Sequence, residues 1–224
     1  LGFVDPLVRP EDEVAGRARS ALIGEVSEED VLPAGALEAR RLEVLPEAPT
    51  DRTGDATDDE DVKAIVFRVK SPGGSAIASD QILDAVKKAQ KAGKKVVVSM
   101  ADVAASGGYY VSLSADKIFA HETTITGSIG VLSGKLVTVG SWAMLGIDLK
   151  SISVGTNALM DASTQSFTPE QWASFNRAVD QIYEDFTAKV AAGRKMPVDK
   201  IRDIAKGRVW TGADAKQRGL VDEF

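Results

Sequence analysis

Residues 62–100 carry the pattern that most narrows the fold: strand, tight turn, helix, strand. Val62-Lys-Ala-Ile-Val-Phe-Arg-Val69 is rich in β-branched and aromatic residues, as a strand covered on both faces must be. Ser71-Pro-Gly-Gly-Ser75 ends it in a turn. In Ala78 to Ala92 the apolar residues Ile82, Leu83, Val86 and Ala89 recur at helical spacing, and Gly93 stops the run before a second strand, Lys95 to Met100. A strand–helix–strand crossover of this kind belongs to an α/β layered fold with a largely parallel sheet.

The chain downstream keeps the alternation. Tyr109 to Ala115 reads as a buried helix, and Lys117 to Ala120 and Ile125 to Val131 as short strands. Thr168-Pro-Glu-Gln171 is a capping-box start for an amphipathic helix with Trp172, Phe175, Val179, Ile182, Tyr183 and Phe186 on one side. A helical finish and a turn, Gly219-Leu-Val-Asp222, close the chain. The opening Gly2-Phe-Val-Asp5 matches that closing turn. Either the match is coincidence or the chain begins with the tail of a preceding copy of the same domain.

Charge divides the chain. Residues 1–61 hold 17 Asp and Glu against 6 Arg and no Lys, a balance of −11, while the rest carries +5 of the net −6. Five of the eight prolines also lie in this acidic part. The expected organisation is an N-terminal arm over 1–45, a solvated acidic connector over 46–61 and a main domain over 62–224. The only strand expected in the arm is Arg41 to Val44. The absence of cysteine excludes disulfides, thiol nucleophiles and thiolate metal sites, and a single histidine, His121, excludes a multi-histidine metal site. No apolar run approaches the roughly 18 residues of a membrane span, and the basic residues are scattered without interleaved aromatics, against nucleic-acid binding. The start at Leu1, without a basic-then-apolar leader, is that of a processed or excised piece.

Two loops could carry chemistry. Ala104-Ala-Ser-Gly-Gly-Tyr109 sets a serine among small residues at a strand-to-helix junction, where N–H groups are free to face an oxyanion. Ser71-Pro-Gly-Gly-Ser75 can offer a second N–H from a glycine. Converging at neighbouring strand ends, the two would form an oxyanion hole. Taken singly, each reads more readily as a tight turn with a capping serine.

Taken together, Val69-Lys-Ser-Pro-Gly-Gly-Ser75, Ala104-Ala-Ser-Gly-Gly-Tyr109, Thr126-Gly-Ser-Ile-Gly130, Gly207-Arg-Val-Trp-Thr-Gly212 and Gly219-Leu-Val-Asp222 resemble, in order and spacing, the signal peptide peptidase A (protease IV) family. The resemblance covers about 62–224. It implies a ClpP/crotonase-like fold, repeated ββα units around a spiral sheet, and a serine–lysine peptidase. Ser106 would be the nucleophile, Gly74 and Gly107 the oxyanion donors, and Ser128 the serine that orients the lysine amine, unless Ser128 only bonds its own backbone. Substrates would be signal peptides or other extended peptides at the extracytoplasmic face of the bacterial cytoplasmic membrane. A ring-like homo-oligomer is implied, and no metal or organic cofactor. Tyr109, Tyr110, Trp172 and Trp210 are assigned to packing.

The general base departs from the pattern. In single-domain members the lysine lies about fifty residues after the serine, which here falls in Gly155-Thr-Asn-Ala-Leu-Met-Asp161, where Asn157 and Ala158 stand and no lysine does. This resembles the C-terminal half of double-length members, in which the N-terminal half of the same protein supplies the lysine. His121, Lys135 and Lys150 read as exposed or packing residues rather than bases. The alternatives are a catalytically silent binding or assembly module of the same fold and, further off, an acyl-CoA enzyme of the crotonase type.

Overall fold

The computed structural model describes the backbone of residues 19–23, 39–42 and 49–224 and the side chains from Thr53 onward. The elements are β1 (Arg19–Ile23), β2 (Ala39–Leu42), α1 (Pro49–Asp58), β3 (Val62–Ser71), α2 (Ala76–Lys91), β4 (Lys95–Ala105), α3 (Gly107–Tyr110), β5 (Lys117–Phe119), β6 (Ile125–Gly127), α4 (Val139–Met144), α5 (Pro169–Arg194), α6 (Val198–Ile204), β7 (Val209–Thr211) and α7 (Gly212–Gln217).

The crossover expected from the apolar pattern is present. β3 and β4 pair in parallel from Ala64 opposite Lys95 to Val69 opposite Met100, and α2 returns between them with Ser79, Leu83, Val86 and Ala89 buried at three- and four-residue spacing. Ser75 caps α2 by accepting from the Ala78 N–H at 3.2 Å. At the other end the Gly93 and Lys94 N–H groups return to the carbonyls of Gln90 and Ala89, with Gly93 at φ 87°, so the helix stops where the glycine stands.

β4 is the long strand on which the sheet turns. Its first half, Val97 to Ser99, takes β5, and its last residues, Val103 to Ala105, take β6. The sheet order is β2-β1-β3-β4-β6-β7 with β5 beside β4, parallel throughout except for the antiparallel pair β6–β7. Ile65, Val96, Val98, Leu83, Tyr109, Leu113, Ile118, Ile129, Val190 and Leu220 fill the core. Each aliphatic side chain among them contributes about 1.5–3 kcal/mol by burial.

The closing Gly219-Leu-Val-Asp222 is a structural clasp. The Tyr109 hydroxyl donates to the Leu220 carbonyl at 2.9 Å, the Ile118 N–H donates to Asp222 Oδ2 at 2.8 Å, and Arg194 pairs with the same carboxylate. Burial alone would raise the Asp222 pKa, but Arg194 and the Ile118 N–H outweigh it and hold it below the ordinary carboxylate value. The matching Gly2-Phe-Val-Asp5 lies outside the described residues.

The structure corrects several expectations. The stretch 46–61 is not wholly a solvated connector, because α1 occupies 49–58 and buries Thr53 and Ala56. Within the arm, β1 stands between β2 and β3 where no strand is expected, and β2 starts two residues before the expected Arg41 to Val44. The helix expected over 109–115 is one turn, 107–110, followed by turns, and the strand expected over 125–131 ends at Gly127. The capping box of α5 forms as expected, yet Trp172 on its first turn is 51% exposed and stacks only on Phe175 and Phe167, so its assignment to packing holds for one face. Trp210 does pack, its Nε1 donating to the Ile204 carbonyl at 3.0 Å and Arg218 lying over its ring. Among the described residues no helix is long and apolar enough to cross a membrane.

Candidate active site

At the C-terminal end of β4 the backbone turns sharply. Ser106 has φ 53° and ψ −116°, a conformation that costs a non-glycine residue about 1–3 kcal/mol and so persists only where its surroundings impose it. They do so here: the Ser106 N–H donates to the Gly127 carbonyl at 2.8 Å, and its carbonyl accepts from the Tyr110 N–H at 2.8 Å. The serine is thus fixed between a strand end and the single turn of α3, its side chain half-buried and not used as a helix cap. A sharp strand-to-helix turn of this kind presents a side chain outward from a rigid base.

The Ser71–Ser75 loop comes down onto the same point. A Cβ on Gly73 would stand 2.7 Å from both the Gly107 nitrogen and the Ser106 Cβ, and Gly73 has φ 102°, so only glycine fits there on both counts. A Cβ on Gly107 would meet Ser79 Oγ at 2.6 Å and lie 3.3 Å from the Gly74 nitrogen. The N–H groups of Gly74 and Gly107 therefore sit beside each other next to Ser106. Neither donates in the turn and cap hydrogen bonds of the described residues. Two adjacent free N–H groups beside a hydroxyl are able to stabilise charge developing on a carbonyl oxygen.

Ser128 follows β6 as Ser106 follows β4. Ala105 pairs with Gly127 in the parallel ladder, so the two serines are the next residues on strands about 4.8 Å apart. Ser128 also has a left-handed φ, 50°, and its N–H is held by the Arg208 carbonyl at 2.8 Å. Ser106, Gly74 and Gly107 line a cleft of about 510 Å³ whose other walls include Ala76, Ile77, Gly130, Val131, Leu132, Ile182 and Phe186. Ser128 is not among its lining residues. The cleft is mainly apolar, with Asp80, Tyr110 and Asp185 as its titratable groups.

No lysine lines this cleft among the described residues. His121 precedes β6, at the strand end opposite Ser128, and its Nδ1 is 2.9 Å from Thr123 Oγ1 on an exposed surface. Lys150 is exposed beside Asp148. Lys135 is not a simply solvated residue: it is half-buried, donates to the Met160 carbonyl at 2.6 Å and lies over the Phe167 ring at 4.2 Å, which engages it away from the serines. Ala158, where a lysine could stand in a shorter relative of this pattern, is exposed.

A group that the sequence pattern did not single out borders the cleft. Lys189 of α5 bonds Asp80 Oδ1 at 2.6 Å, the Tyr110 hydroxyl at 2.6 Å and Asp185 Oδ2 at 2.9 Å. Burial works against its charge, but the hydrogen bonds to Asp80, Tyr110 and Asp185 prevail and raise its pKa. Lys189 is therefore charged at neutral pH and unable to take a proton from Ser106. Its i,i+4 spacing from Asp185 was the one available sequence signal; the partners on α2 and α3 come from the fold alone. Among the described residues no cluster of His, Asp or Glu could hold a metal ion.

Comparison with known proteins gives the chain's relatives. The sequence model of peptidase family S49 matches residues 88–224. "Protease 4" of Salmonella typhi is 46% identical over 171 residues, covering 76% of this chain and 27% of that protein. "Serine protease SPPA, chloroplastic" of Arabidopsis thaliana is 42% identical over 161 residues, 71% of this chain and 24% of the relative. "Putative signal peptide peptidase SppA" of Enterococcus faecium is 36% identical over 169 residues, 75% and 48% respectively. The chain thus spans about a quarter of the length of the first two and about half of the third.

Proposed function

Since the chain belongs to peptidase family S49, we propose that it is the nucleophile-bearing part of a serine endopeptidase of the serine–lysine type, acting on signal peptides or other extended peptides. The observation that carries this reading is the strained, half-buried Ser106 at the wall of a cleft, with the Gly74 and Gly107 N–H groups beside it. The largely parallel α/β sheet is that of a ClpP/crotonase-like fold.

In this mechanism Ser106 Oγ attacks the peptide carbonyl carbon while its proton passes to a neutral lysine amine. The carbonyl oxygen, now negative, accepts from the Gly74 and Gly107 N–H groups. Collapse expels the peptide amine, which takes the proton back from the lysinium, and leaves an ester on Ser106. Water, deprotonated by the same amine, then hydrolyses the ester. Ser128 holds the lysine amine toward Ser106, a role favoured by its position one strand away.

The lysine comes from the N-terminal half of a longer protein, with residues 62–224 as the peptidase domain, to whose sheet and core β1, β2 and α1 of the preceding stretch are added. Two observations support this: no lysine lines the cleft among the described residues, and relatives that match most of the chain are matched over only about a quarter of their own length. The whole protein would be a ring-like homo-oligomer working at the extracytoplasmic face of a bacterial cytoplasmic membrane, as the resemblance of its motifs to signal peptide peptidases implies. A half-buried Ser106 that lines the cleft, rather than one buried away from it, speaks against the crotonase-type alternative.

Hydrolysis of an internally quenched apolar peptide by the complete protein tests the reading. Ser106→Ala is expected to lower kcat by about 10⁴-fold or more, the residual rate coming from the oxyanion donors and binding. Undiminished hydrolysis by that variant would remove Ser106 from the mechanism.

A further inference from the structure

Three elements meet at Lys189. Asp80 lies on α2, six residues after Gly74; Tyr110 ends the single turn of α3 that begins with Gly107; Lys189 and Asp185 lie one turn apart on α5. The ammonium donates to all three partners, and the Tyr110 hydroxyl, which accepts from Lys189, donates onward to Asp80 Oδ1 at 2.8 Å. Tyr110 is itself buried, packed on Phe186 of α5 with ring centroids 5.0 Å apart. A surface ion pair with two flexible ends has little structural effect. Here a cation carried by α5 bridges the buried Tyr110 phenol of α3 and carboxylates of α2 and α5, and α2 and α3 start at or within two residues of Gly74 and Gly107, the two glycines beside Ser106.

We infer that Lys189 is a positioning residue of the proposed peptidase: it clamps α2, α3 and α5 so that the Gly74 and Gly107 N–H groups keep the spacing needed to hold one oxyanion. The inference rests on the peptidase reading above. Without the ammonium, Asp80 and Asp185 would confront each other across the Tyr110 hydroxyl as like charges. The strain would be relieved by moving Tyr110, and α3 is too short to absorb that movement before it reaches Gly107 and Ser106. Misplacement by about an ångström is enough to cost roughly 10²-fold in rate. Lys189 touches neither Ser106 nor the two glycines in this arrangement, so its action is through Asp80 and Tyr110.

The test uses the complete protein with Lys189→Met, Lys189→Arg and Tyr110→Phe, measuring kcat and KM on the quenched peptide, with enzyme concentration fixed by titration of folded protein. Lys189→Met should lower kcat about 10- to 100-fold with KM changed less than about threefold. Lys189→Arg, which restores the cation, should recover most of the rate, and Tyr110→Phe should lower kcat in the same direction by less. Wild-type kcat in folded Lys189→Met, or a loss accounted for by unfolded protein alone, overturns the inference. So does Lys189→Arg that folds yet is as slow as Lys189→Met. Should Lys189→Met fail to fold, Tyr110→Phe decides: wild-type kcat there overturns the clamp. Ser106→Ala run in parallel keeps the two readings apart, because its activity bears on the peptidase and not on Lys189.

Discussion

The end of β4 and the segment 131–154, which follows β6, are built in opposite ways. Around the strand end, Ala104, Ala105, Gly108, Tyr109 and Tyr110 are buried, and backbone bonds to β6 and α3 hold Ser106 in a strained conformation. The segment after Gly130 is as apolar as a core, yet Leu132, Met144, Ile152 and Val154 are each at least 88% exposed. The nucleophile and its two N–H groups are completed by the chain's own packing. The following segment has hydrophobic surface that no described residue covers, which is the pattern expected where another body completes the site. In the proposed assembly that body brings the lysine.

This contrast can be broken by substitution. Leu113→Ala, in the wall behind α3, should destabilise the protein by about 2–5 kcal/mol by chemical denaturation, since the side chain is 2% exposed and leaves a cavity. Ile152→Ser, at 99% exposure, should change the stability of the same domain by less than about 0.5 kcal/mol. Comparable losses from both would mean that the segment is packed in solution and that the difference between the two regions is wrong.

Gly73→Ala sharpens the comparison within the rigid region. A methyl group there meets Gly107 and Ser106 and must sit on a residue with φ 102°, so kcat should fall by roughly 10²-fold, with a smaller loss for Gly74→Ala, whose Cβ would meet nothing within 4 Å. Equal kcat for both variants and the parent would separate the loop from catalysis.

A smaller effect concerns pH. The Asp222 pKa is lowered from its unfolded value of 3.8, so the Arg194–Asp222 clasp contributes fully above that value. Its contribution is lost as pH falls below 3.8 and through the folded pKa. The melting temperature of the parent should therefore drop more steeply below pH 4 than that of Asp222→Asn, which should already be lower at pH 7. Parallel curves for the two proteins would exclude the clasp as an acid-labile element.

The parts of this molecule legible in the sequence are those with a local cause. The β3–α2–β4 crossover follows from Val62 to Met100 because apolar period and glycine breaks coincide there, and the α5 start follows from Thr168 and Gln171. The proximity of Ser106 to Ser128 needed only the parallel pairing of two strands. What escaped was set by distant partners. α1 reads as solvated acidic chain because, among its described side chains, only Thr53 and Ala56 are buried, and β1 is visible only through its pairing between β2 and β3. Trp172 lies at a core-like helical spacing, but α5 extends past the core at that end. The Lys189 cluster joins residues 80, 110, 185 and 189, a juxtaposition with no local signature apart from one i,i+4 pair.

The central claim is that Ser106 is a nucleophile whose base lies outside residues 62–224. Labelling by a fluorophosphonate probe, followed by mapping of the adduct, tests it most directly when the complete protein and the 224-residue chain are compared at equal folded concentration. The account predicts one adduct, on Ser106, formed rapidly in the complete protein and at least about 10²-fold more slowly in the short chain, with none in Ser106→Ala. Rapid labelling of the short chain that Lys135→Ala or His121→Ala abolishes would contradict it, because the base would then lie within the chain itself.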